Sequence, residues 1–264
     1  MMVATSSGIL LVDAGNTRLK WLWVNEGDFH KQSQQAETYA VGESPQDGAL
    51  RVLEKLLNQY QPEKVTLVHV LGAEFSHVLG IVCRRLGCEL QLVKAGHEVA
   101  GIRSAYANPA HFGADRLVAL IAARFFAQNS PAIIIDCGTA VTVDAVLPDG
   151  QHLGGLILPG LQLLSDALIQ RTQAKHMSDP VFEAPVIFAD NTAQGMGSGC
   201  LFSLTGAIEG ICQRMCDEMS DNPQSVMKII CGGDAARVHK HLTGDFRLEP
   251  AALMTGLWVI AGHY

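Results

Sequence analysis

Ile9-Leu10-Leu11-Val12-Asp13-Ala14-Gly15-Asn16-Thr17 is a short apolar run closed by an acid, a glycine and a small hydroxyl residue, and the pattern returns as Ala132-Ile133-Ile134-Ile135-Asp136-Cys137-Gly138-Thr139. In both places an apolar stretch of strand length runs into a turn, and strand character resumes beyond it, at Trp21-Leu22-Trp23-Val24 and at Val141 to Val146. Each copy predicts a buried strand entering a β-hairpin with a polar tip. Asp13 and Asp136 hold matching places in the two copies, separated by far more than the roughly 20–50-residue periods of solenoids. The repeat predicts a duplicated domain.

Outward from the first copy, Glu43 to Tyr60 spaces Leu50, Val52, Leu53, Leu56 and Leu57 as a helix does. Val65 to Val70 predicts a buried strand, Glu74 to Leu86 a helix and Leu90 to Val93 a further strand. A loop of turn formers, Ser104 to Gly113, leads into an apolar helix, Ala114 to Ala127, closed by Asn129-Ser130-Pro131. Beyond the second copy, Pro148-Asp149-Gly150 turns into a third strand, and Leu161 to Ile169 and Thr192 to Met219 predict helices. Met227 to Ile230 predicts a strand ending in Cys231-Gly232-Gly233-Asp234, and Ala251 to Ala261 a closing helix. Strands alternating with helices predict an α/β fold. The main boundary falls at Asn129–Pro131, giving domains of residues 1–129 and 130–264.

Composition narrows the function. The chain has 264 residues, 48% of them apolar and 17% charged, which suits packed cores rather than a disordered polyampholyte. With 19 Lys and Arg against 26 Asp and Glu and no basic run, a nucleic-acid partner is not expected. Seven scattered cysteines without a CxxC pair suit reduced thiols and a cytoplasmic home. A basic leader is missing and no window reaches the roughly 18 apolar residues of a membrane span, so neither export nor anchoring is expected. The ten histidines show no HExxH spacing, and Cys212 and Cys216, four apart on a helix, suit core positions better than half of a zinc site.

A carboxylate at a strand end, followed by glycine and a small hydroxyl, sets a hard metal ligand beside exposed backbone N–H groups, the parts of a phosphate and Mg²⁺ cradle. Glycine there lets the backbone approach phosphate oxygens. Lys20 has the charge to neutralise phosphate, or it is simply solvated. Cys231-Gly232-Gly233-Asp234-Ala235 offers either bare backbone for a flat group such as adenine or a tight strand-to-helix turn, and Gly154 to Gly160 either walls a ligand or bends a strand. Asp115 and Arg116 open the helix after the aromatic-bearing loop. An acid in a first helical turn is ordinarily a dipole partner; beside a guanidinium it can also take a hydroxyl proton while the cation holds an anionic substrate.

Four ordered motifs resemble those of the type III pantothenate kinase family, of the acetate and sugar kinase/Hsp70/actin superfamily. Asp13 to Lys20 resembles DxGNTxxK, Tyr106 to Arg116 resembles YxNPxxxGxDR, Asp136 to Asp144 resembles DxGTAxTxD, and Gly154 to Gly160 resembles GGxIxPG. The resemblance implies two ribonuclease H-like (actin-like ATPase) domains with a nucleotide cleft between them, and a homodimer. It implies ATP, Mg²⁺ and a monovalent cation, K⁺ or NH₄⁺, and phosphorylation of pantothenate to 4′-phosphopantothenate, the first step of coenzyme A biosynthesis. Position by position, it implies that Asp13, Ala14, Gly15, Asn16, Thr17, Arg18, Leu19 and Lys20 hold the ATP phosphates, with Asp13 also on Mg²⁺. Asp136 would ligate K⁺ and Thr139 would touch ATP. Asp115 would accept the proton, and Tyr106, Gly113, Ala114, Asp115 and Arg116 would hold pantothenate. Thr192, in Asp190-Asn191-Thr192, would reach it from the partner subunit. After Gln170-Arg171-Thr172 the chain has Lys175-His176 where the family usually has Leu-Pro, and Gln194 also departs from the pattern. A non-catalytic regulatory or accessory-factor member would keep the fold and could lose the base; here Asp115 and every motif acid remain. A kinase for another small acceptor is disfavoured by the YxNPxxxGxDR loop.

Overall fold

The computed structural model describes residues 8–25, 29, 32–171, 180–219 and 223–262. The segment around Lys175 and His176 lies outside them. The chain forms two compact units, one of Met1–Ile102, Tyr106–Ala122 and Leu253–Tyr264, the other of Arg103–Ala105 and Ala123–Ala252.

In the first unit the opening run is β1 (Gly8–Ala14), which turns into β2 (Arg18–Asn25) and then β3 (Gln35–Thr38). α1 (Pro45–Tyr60), β4 (Lys64–His69), α2 (Gly72–Leu86) and β5 (Glu89–Leu92) follow, and the sheet runs β3-β2-β1-β4-β5. The hairpin strands pair antiparallel, whereas β4 and β5, reached through helices, pair parallel. α1 starts where Ser44 accepts the N–H of Asp47 at 3.1 Å and Pro45 takes the first turn, where no N–H is needed. Its apolar stripe, Val52, Leu53 and Leu56, meets Leu10, Val12 and Leu19 of the sheet and Phe75 and Leu79 of α2 in one core. A short hairpin of β6 (Glu98–Val99) and β7 (Ile102–Arg103) precedes the loop to α3 (Ala114–Ala127).

The second unit repeats the plan. β8 (Ala132–Cys137), β9 (Ala140–Val146) and β10 (His152–Pro159) form the antiparallel meander, and β11 (Met227–Cys231) and β12 (Arg247–Leu248) add parallel, in the order β10-β9-β8-β11-β12. Helices α4 (Leu161–Arg171), α5 (Thr192–Met219) and α6 (Ala235–His239) belong to this part of the chain. Ile133, Ile135, Val141 and Val143 pack against Leu201, Leu204, Ile208 and Cys212 of α5. Cys212 and Cys216 are thus core positions, and all seven cysteines are buried.

The division of the chain differs from residues 1–129 and 130–264. The boundary falls inside α3, and the closing helix α7 (Ala252–Ile260) belongs, from Leu253 on, to the first unit. The reason is packing that no local pattern announces. Gly256 brings a bare α-carbon so close to Val118 of α3 that a Cβ there would overlap the Val118 carbonyl. Gln91 of β5 accepts the Thr66 hydroxyl at 3.1 Å and donates to the Ile260 carbonyl at 3.3 Å, tying α7 to the first sheet.

Candidate active site

Asp13 lies one residue before the end of β1, directly opposite Lys20 in the β1–β2 register. Directly opposed residues of an antiparallel pair stand within side-chain reach, and Lys20 Nζ lies 3.1 Å from Asp13 Oδ2. Asp13 is only 9% exposed. The strands turn through Gly15, Asn16 and Thr17, with the Gly15 N–H donating to the Arg18 carbonyl at 3.1 Å. Tyr39, just beyond β3, grips this tip twice. Its hydroxyl donates to the Gly15 carbonyl at 3.0 Å and its N–H to the Thr17 carbonyl at 3.2 Å.

The loop from Tyr106 to Gly113 belongs to the same unit. Asn108 accepts the Ala110 N–H at 3.1 Å and so caps the single 3₁₀ turn Pro109–His111. Phe112 then turns inward, and Gly113 opens the path to α3. Gly113 sits so close to Asp115 Oδ1 that a Cβ would overlap it. Asp115, in the first turn of α3, accepts the Arg116 N–H at 2.8 Å. Burial raises its carboxyl above the ordinary range, the charge of Asp13 pushes the same way, and the Arg116 N–H works against both. Arg116 is 5% exposed and donates to the Tyr106 hydroxyl at 2.9 Å. Its guanidinium lies 5.2 Å from the Phe112 ring centroid and 5.7 Å from that of Tyr106. Two aromatic rings and a buried cation thus stand together beside Asp115, an arrangement chemically suited to an anion.

In the second unit, Asp136 lies one residue before the end of β8, the place that Asp13 holds in β1. Gly232, at φ +100°, leaves no room for a Cβ beside Asp136 Oδ1 and the Cys137 carbonyl. Gly160 comes as close to the carbonyls of Gly138 and Thr139. The N–H groups of Asp234 and Gly160 reach the carbonyls of Cys137 and Thr139 at 3.0 and 3.1 Å. The two glycines are thus seated closely against the turn between β8 and β9, and Thr139 stands exposed at its tip. The Gly154–Gly160 segment forms most of β10, with a register shift between His152 and Gly154. His152 and Asp144, both fully buried, meet at 3.0 Å, and His152 Nδ1 accepts the Ala105 N–H at 3.4 Å, which leaves Nε2 to donate to the carboxylate.

Thr192 is the exposed first residue of α5, whose start is capped by Asn191 accepting the Gln194 N–H at 3.0 Å. The first unit therefore carries Asp13 to Lys20 together with Tyr106 and Gly113 to Arg116, while Asp136, Thr139 and Thr192 belong to the second. Tyr39 and His152 escape a sequence reading. Tyr39 lies 24 residues from Gly15, and only the β2–β3 register brings them together. His152 and Asp144 face each other across a register shift that spacing does not reveal.

Among the described residues no three His, Cys, Asp or Glu side chains gather into a metal cage. A single hard carboxylate at a phosphate turn is instead the donor set for Mg²⁺ carried in with phosphates, and Asp13 fits it. Asp136, whose Oδ1 and the Cys137 carbonyl both lie against Gly232, offers the hard oxygen type of ligand that a hard cation takes.

The family model for type III pantothenate kinase matches residues 9–214. A type III pantothenate kinase from Herminiimonas arsenicoxydans is 34% identical over 263 residues, spanning 97% of this chain and 98% of its own. One from Aromatoleum aromaticum is 33% identical over 262 residues, spanning 96% and 97%. Among solved structures, a Baf family transcriptional activator from Campylobacter jejuni is similar with a TM-score of 0.59 at 16% identity, covering 96% of this chain and 97% of that one. MreB5 of Spiroplasma citri, bound to ADP, is similar with a TM-score of 0.55 at 9% identity, covering 98% and 97%. The structural likenesses speak to fold alone, the actin-like ATPase fold. The family model and the full-length relatives carry the assignment further: the chain belongs to the type III pantothenate kinase family.

Proposed function

We propose that the protein transfers the γ-phosphoryl group of ATP to the primary hydroxyl of pantothenate, giving 4′-phosphopantothenate and ADP for coenzyme A synthesis. One observation carries this beyond family membership. A single unit holds a phosphate hairpin with its acid and lysine, a carboxylate whose pKa burial has raised, and an aromatic-lined cation. Those are the parts needed by the donor, the base and an anionic acceptor.

The backbone N–H groups of Asn16 and Thr17 and the Lys20 ammonium hold the phosphates, and Arg116 pairs with the pantothenate carboxylate between Tyr106 and Phe112. Asp115 accepts the hydroxyl proton as the oxygen bonds to phosphorus and the bond to the ADP oxygen breaks. Its pKa, raised by burial, makes it a better proton acceptor than an ordinary carboxylate. Mg²⁺ held by Asp13 would neutralise charge on the phosphates. Asp136 would hold K⁺ or NH₄⁺, and Thr139 would touch ATP. The working form would be a homodimer in the cytoplasm, with Thr192 of each copy completing the other's acceptor site. No described helix is long and apolar enough to cross a membrane.

The test is chromatographic. Purified protein with Mg²⁺, ATP, K⁺ and pantothenate should yield 4′-phosphopantothenate and ADP in equal amounts. ATP consumption without that product would sink the proposal.

A further inference from the structure

We propose that Tyr39 is a positioning residue for nucleotide binding, acting through the peptide group between Gly15 and Asn16. This rests on the assignment of Asp13 to Lys20 to the ATP phosphates and adds a residue that the four sequence motifs do not contain. A peptide group is planar and trans, so its C=O and N–H point in opposite directions. The Tyr39 hydroxyl holds the Gly15 carbonyl at 3.0 Å, which fixes the Asn16 N–H facing away from Tyr39. The Tyr39 N–H holds the Thr17 carbonyl at 3.2 Å and so pins the far side of the same turn. One residue thus anchors both sides of the hairpin tip and presets the Asn16 N–H before any phosphate arrives, and a preset donor needs no reorganisation on binding.

Tyr39 is itself held without slack. It is 9% exposed, and its ring lies flat against Gly48 of α1, where an added Cβ would come within 2.6 Å of Tyr39 Cγ. The ring therefore has one seat, and from it the hydroxyl reaches Gly15. Burial, with the charges of Asp13 and Glu43, keeps the phenol protonated and hence a donor. The edge strand β3 gains a purpose from this. Short and polar, with only Glu37 partly buried, it adds little to the core, yet its register delivers Tyr39 to the phosphate turn.

The experiment uses the full chain carrying Tyr39→Phe, which keeps the ring against Gly48 and removes one hydroxyl. MgATP binding is measured by calorimetry without pantothenate, alongside steady-state kinetics and melting. Loss of one hydrogen bond should weaken MgATP about five- to tenfold and raise its KM by a similar factor. The KM for pantothenate should stay within about twofold. Gly48→Ala, which keeps the hydroxyl but displaces the ring, should shift MgATP affinity in the same direction and serves if the Phe variant does not fold. Unchanged MgATP affinity in a folded variant, even with a lowered melting temperature, would make Tyr39 merely structural and overturn the inference. A wild-type protein that binds no MgATP overturns both the inference and the phosphate-hairpin assignment. One that binds MgATP but makes no 4′-phosphopantothenate overturns only the proposed function, and the wild-type and Phe affinities still decide on Tyr39.

Discussion

At Asp115 two demands meet. As a first-turn acid it suits the helix dipole, a benefit of about 0.3–1 kcal/mol, yet burial has raised its pKa, so its charged form costs stability. Asp115→Asn should therefore melt within a few degrees of wild type and still bind MgATP, but turn over at least about a hundredfold more slowly. More than about a tenth of wild-type kcat would remove Asp115 as the base. The pH dependence has a definite sign. Between the ordinary carboxylate pKa of the unfolded chain and the higher folded value, the folded state binds more protons, so stability falls as pH rises through that window and levels off above it. The Asn variant should lack this component in denaturant titrations at a series of pH values. Turnover should run the other way, declining as pH falls through the raised pKa, because only the ionised group accepts a proton. Asp115 was legible in sequence because its motif is local; Tyr39 was not, because its partner is set by strand register.

At the level of elements, the sheets were legible where apolar runs are long. β1, β4, β8 and β11 follow directly from Ile, Leu and Val content. β3 did not, since Gln35-Ala36-Glu37-Thr38 is a four-residue, largely exposed edge with no apolar alternation to find. The turns between elements allow a paired test on glycines. Gly232 sits at φ +100° against Asp136 and Cys137, so Gly232→Ala meets both backbone strain of about 1–2 kcal/mol and overlap. It should lose more than about 2 kcal/mol in urea titration, with activity falling alongside. Gly206 lies within α5 with open space where a Cβ would go. Gly206→Ala should instead gain about 0.5–1 kcal/mol from helix propensity alone. Equal effects at the two positions would contradict the close packing around Asp136.

For the molecule as a whole, the duplicated plan was written in the sequence by the two Asp-x-Gly turns. The ownership of α7 was not, because it rests on Gly256 and Gln91 meeting residues far away in the chain. The proposed cation at Asp136 predicts rates that rise strongly when K⁺ or NH₄⁺ replaces Na⁺, and equal rates in all three salts would count against it. The proposed dimer has candidate apolar surface in Ile157, Ile187 and Phe188, which are 64%, 75% and 90% exposed. Light scattering at assay concentration should give twice the chain mass. A fully active monomer would refute a role for Thr192 across subunits.

The interleaving of the two units also bears on how the chain is made. Residues leave a ribosome in order, and Ala123–Ala252 emerge as one stretch before Leu253 onward can return to α3 and β5. The usual vectorial sequence, in which the earlier domain folds first, is thereby reversed. The second sheet can close during synthesis while the first still lacks a wall, leaving Val118 and Gln91 open to water or to a chaperone. Released chains truncated after Ala252 should accordingly show a protease-resistant second unit and a digestible first one. Lengthening them through Ile260 should protect both.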